Sequence, residues 1–77
     1  MEKDEKEIEE GLIRRLKLVD EAARGSIEAA ADLAEGYLRG SFEGDPDPVK
    51  ALKWSRYAAK RGSVKAAVIL SELGGQI

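Results

Sequence analysis

The dipeptide Gly25-Ser26 recurs as Gly62-Ser63, and the offset of 37 residues holds for the positions around it. Ala22, Arg24, Ala29, Ala30, Leu33 and Glu35 coincide with Ala59, Arg61, Ala66, Ala67, Leu70 and Glu72, and Ile27 meets Val64. Each Gly suits the left-handed position after a helix, and each Ser suits the N-cap of the next one. The same helix–turn–helix junction is therefore written twice. A unit this short cannot bury its own apolar face, so a chain that repeats it is restricted to helix pairs stacked on one another.

Hydrophobic spacing supplies the helices that the junctions separate. Ile8, Leu12, Val19 and Ala23, with Leu16 beside them, mark an amphipathic first helix over roughly residues 4–24. In the second, Ile27 to Arg39, the residues Ile27, Ala30, Ala34, Tyr37 and Leu38 fall on one side and Glu28, Asp32, Glu35 and Arg39 on the other. The connection Ser41–Asp47 carries Gly44, Pro46 and three acids and reads as a loop. Asp47-Pro48 then gives an N-cap followed by a first helical residue whose missing N–H costs nothing there, and Asp45-Pro46 is an equally legal start two residues earlier. A third helix runs to about Arg61, and a fourth follows Ser63 to about Leu73. The expected fold is all-α: four helices in two αα-hairpins, a short solenoid fragment. It forms a single domain with one full repeat over about 26–62, flanked by half repeats at 4–25 and 63–77.

Composition narrows the chemistry. The 77 residues include neither Cys nor His, which removes disulfides, ordinary zinc, haem and iron–sulfur sites and the usual neutral-pH proton shuttle. No catalytic residues, cofactor or metal are expected. Lys plus Arg number 13 against 15 Asp plus Glu, a net charge of −2 that is too balanced for a dedicated nucleic-acid binder. The longest apolar run, Ala66–Leu70, is far short of the roughly 20 residues of a membrane span. The acidic opening has no leader-like apolar block, and a cytoplasmic setting is the expectation. Asn and Thr are also absent, a restricted palette that fits a designed chain as well as a natural one.

Ala30, Leu33, Ala34, Tyr37 and Gly40, then Lys50-Ala51, Trp54, Ala58-Ala59 and Gly62, resemble the Sel-one-like repeat, a relative of the tetratricopeptide repeats. Its pattern is A-x-x-x-L-G-x-x-Y-x-x-G, a loop, K-A-x-x-W, then A-A-x-x-G. Ala34 stands where that family favours Gly, Lys17 where the first half repeat should show the Trp, and Gly74 where the last should show the Tyr. The resemblance implies a right-handed superhelical piece used for protein–protein interaction, without common catalytic chemistry.

Two surfaces suggest themselves as binding sites. The last helix is apolar on nearly every side: Asp32 and Gly36 of the second helix become Ile69 and Leu73 in the fourth, where a terminal solenoid helix should turn polar. Ile69 and Leu73, with Val68 or Leu70 alongside and Leu18 as a second-rank contact, are the expected surface of a homodimer, unless the first helix folds back over them. The second surface is the basic stretch 50–65, which contains no acid. There Lys53, Tyr57 and Lys60 could meet an acidic partner or, less in keeping with the net charge, nucleic acid. The plainer reading is a solvated face balanced by Glu28, Asp32, Glu35, Glu43, Asp45 and Asp47. Glu43, Asp45 and Asp47 alternate like the start of a calcium loop but lack its Gly and closing Glu, leaving turn and capping roles. Trp54 and Tyr37 could line a groove, though at this spacing such residues more often fill a core.

Overall fold

A computed structural model describes residues 5–42 and 44–74, with side chains from Glu9 onward. It is all-helical among these residues: α1 (Glu5–Ala23), α2 (Ile27–Arg39), α3 (Pro48–Lys60) and α4 (Val64–Glu72). The helix bounds lie within a residue or so of those the sequence predicts. Residue 4, residues 75–77, Glu43 and the side chain of Ile8 lie outside the described set.

The two junctions share one geometry. Ser26 and Ser63 each accept a hydrogen bond from the backbone N–H three residues on, Ala29 and Ala66, both at 3.1 Å. Gly25 and Gly62 sit at φ 102° and 101°. The N–H groups of Ser26 and Ser63 reach back to the carbonyls of Glu21 and Ala58, each at 3.0 Å. Asp47 caps α3 by accepting from the Lys50 N–H at 3.1 Å, and its own N–H ties the loop to the Tyr37 carbonyl at 2.8 Å.

Helix α2 is the hub. α1, α3 and α4 all pack on it, and α3 also packs on α4; among the described residues α1 touches neither α3 nor α4. α2 is accordingly buried nearly all round, at Ala29, Ala30, Ala31, Leu33, Ala34, Gly36 and Tyr37. The core around it is dominated by Ala, which lets helix axes approach closely, and is completed by Tyr37 and Phe42 in edge-to-face contact at 5.2 Å. Ser55, the buried polar residue of α3, donates to the Leu52 carbonyl at 3.1 Å.

The face that α1 turns inward is not the one its apolar periodicity predicts. Gly11 and Ala22 are buried and Leu18 is half-buried, whereas Leu12, Leu16 and Ala23 of the expected stripe are exposed, Leu16 at 56 %. At 100° per residue the helix is rotated by roughly a quarter turn from expectation. Gly11 is the cause: a Cβ there would overlap the Phe42 carbonyl, so the helix seats its smallest residue against the α2–α3 loop. The larger residues are left to solvent. Periodicity weighs bulky side chains and is blind to a contact made by having none.

Candidate functional site

The last helix does not present the surface its composition suggests. Ile69 is 5 % exposed and Leu70 1 %, and Leu73 is half-buried against the core. Ile69 and Leu70 are therefore core residues of the folded chain rather than an open face, and Leu73 is covered in part. α4 packs on α3 and α2 together, and a nine-residue helix wedged between two neighbours buries two flanks where a terminal helix would bury one. Nor does α1 fold back over it. Leu18 packs on the core and lines a separate groove with Arg14, Asp32, Gly36 and Phe42. Of the expected association residues only Val68, 54 % exposed, is open to solvent, with Val64 one turn before it at 77 %.

The basic stretch is placed differently. Helices α1 and α3 lean on α2 without meeting, and the space between them is a groove of about 270 Å³. Val19, Ala22 and Ala23 line it from α1; Lys53, Trp54 and Tyr57 line it from α3. The walls are almost wholly apolar. Trp54 and Tyr57 are half-buried and meet edge to face at 5.9 Å, so Trp54 is core on one side and groove on the other. Tyr37, its companion in the sequence argument, is core.

Cations stand around these rings. The Lys53 ammonium lies 5.7 Å from the Trp54 ring centre, and the Arg61 guanidinium 3.7 Å from that of Tyr57. Arg61 is fixed there by donating to the Tyr57 carbonyl at 3.3 Å. Lys60 lies two turns along α3 from Lys53 and so on the same side of the helix. Among the described residues the expected neutralisation by acids is seen at Lys65. Lys65 reaches Asp32 at 2.7 Å and Glu35 at 3.3 Å, clamping α4 to α2. Its pKa is raised from the ordinary 10.5, chiefly by the hydrogen bond to Asp32; partial burial opposes this, and the charges of Asp32 and Glu35 add to it. Lys53, Arg56, Lys60 and Arg61 pair with no carboxylate among the described residues.

Sequence reasoning found Lys53, Tyr57 and Lys60 but missed the α1 wall. Val19 and Ala23 belong to the predicted apolar stripe of α1; Val19 packs on the core at its edge, while Ala23 is exposed at the groove rim. At about 270 Å³ the groove lies just under the roughly 300–1,000 Å³ of small-molecule pockets, which leaves room for one or two anchoring side chains. Among the described residues no group of three acids is placed to hold a metal ion, and no helix is long and apolar enough to cross a membrane. No family model matches the chain, and neither the curated proteins nor the solved structures contain a match to it.

Proposed function

We propose that this chain is a non-enzymatic protein–protein interaction module of stacked helix pairs, similar to the Sel-one-like repeats, and that it receives its partner in the α1–α3 groove. The observation that carries this reading is an apolar slot edged by two half-buried aromatic rings, with cations set against both. Aromatic anchors in partly desolvated pockets are where interface energy concentrates, and a slot between two helices suits the apolar face of a short helix or extended segment. The test uses Ala23, which is exposed, so that Ala23→Trp plugs the groove from its rim without entering the core. Peptides selected from a random library on the parent protein should lose binding to the plugged variant. Selected peptides indifferent to the plug, or a selection yielding none, would overturn the reading.

A second reading, self-association at α4, rests on Val64 and Val68, which are exposed one turn apart. Apolar pairs of this kind are common on monomers when isolated, so the assembly state decides. A concentration-dependent sedimentation coefficient that Val68→Asp abolishes supports it; a parent that sediments as a monomer at high concentration removes it.

A further inference from the structure

We propose that the segment docked in the α1–α3 groove is acidic: one or two apolar anchors flanked by Asp or Glu, held by Lys53, Lys60 and Arg61. This rests on reading the groove as a docking surface and adds the chemistry of what docks there.

Charge complementarity carries it. The α3 side of the groove is edged by cations without carboxylate partners among the described residues, and two of them already lie over the aromatic rings that form the slot. Any segment filling the slot strips water from Lys53 and Arg61. An uncharged segment would leave those cations desolvated and unpaired, and a basic one would add repulsion; both are costly. A carboxylate on either side of the anchor replaces the lost water with a charge-assisted hydrogen bond. On the α1 side no acid lines the groove, and Asp20, beside Val19, is paired with Arg24 at 3.1 Å.

Nucleic acid fits less well. The cations stand on α3 alone, while the facing wall is Val19, Ala22 and Ala23. A phosphate backbone needs a track of charge, and its affinity comes from neutralising many phosphates; a slot for one or two side chains offers neither.

The experiment compares three peptides that share a Leu-Phe centre and carry Glu, Gln or Lys flanks, together with a single-stranded DNA oligonucleotide. Binding to the full chain is measured at low salt and again at about 1 M, where the screening length is about 3 Å. The Glu-flanked peptide should bind about tenfold more tightly than the Gln-flanked one, with the Lys-flanked one weakest and the gap collapsing at high salt. Lys53→Glu combined with Lys60→Glu, at two exposed positions, should invert the order while the helical circular dichroism stays unchanged. Equal binding of all three peptides, still blocked by Ala23→Trp, overturns the acidic partner and leaves the groove standing as a docking site. Failure of every peptide overturns both, and tighter binding of the oligonucleotide assigns the surface to nucleic acid.

Discussion

At Gly36 two opposing tendencies meet. Gly in a helix interior is about 1 kcal/mol worse than Ala, so Gly36→Ala would ordinarily stabilise α2. Here a Cβ would overlap the ring of Phe42, and overpacking of this kind costs about 1–3 kcal/mol. The clash should win: Gly36→Ala lowers stability in urea denaturation. In a Phe42→Leu background the same substitution becomes neutral or stabilising, and a loss of equal size in both backgrounds would rule out the ring as the cause. Ile69 makes the complementary case. Placing a carboxylate at a site 5 % exposed removes a core side chain and buries an unpartnered charge, together about 4 kcal/mol or more. A core in a chain of this size supplies only about 3–5 kcal/mol, so Ile69→Asp should be unfolded by circular dichroism at every protein concentration. A folded Ile69→Asp monomer would place that side chain at the surface after all.

The helices, their order and both junctions were legible in the sequence, because Gly-Ser is a local stop-and-cap signal; Asp-Pro occurs twice, at 45–46 and 47–48, and the second is the one that opens α3. The faces were less legible. Which flank of α1 turns inward depends on Gly11 meeting Phe42, 31 residues on, and no window on α1 alone contains that contact. The apolar excess of α4 was read as an association face or as a bed for α1; Ile69 and Leu70 are covered instead by α2 and α3 within the chain. The groove residues of α3 were visible as a basic stretch with Tyr57; on α1, Val19 and Ala22 serve core and groove at once, a double role that spacing alone does not reveal. The rotation of α1 has a direct consequence for mutagenesis. Leu16→Lys should change stability by no more than about 0.5 kcal/mol, as at other exposed sites, whereas the expected stripe would make it a core disruption worth several times that. Denaturant midpoints of the two states of position 16 check this.

Across the whole molecule, the Lys65 clamp is the polar link between α2 and α4, and its pH dependence follows from the raised pKa. A lysine charged more readily when folded than when unfolded contributes stability that is fully present below its ordinary value of 10.5. That contribution is lost as pH rises through the higher folded value. The two side chains are each 44 % exposed, so the link is worth no more than about 1 kcal/mol. Thermal melts of the parent and Lys65→Met should differ near neutral pH and converge as pH rises past the lysine's raised value. A constant gap across that range would show that the lysine acts through its aliphatic stem instead.

Among the described residues α1 shares no seam with α3 or α4, so no direct contact clasps α1 to α4. Stretched between its ends, such a fold loads its seams in series, with α1 joined to the remainder along α2 and at the α2–α3 loop, where Gly11 abuts Phe42 and Arg14 donates to the Ser41 carbonyl at 3.0 Å. Tension would peel α1 away first and leave the other three helices still joined. The rupture would come in steps, since a single abrupt break needs first and last elements to lie side by side and shear together.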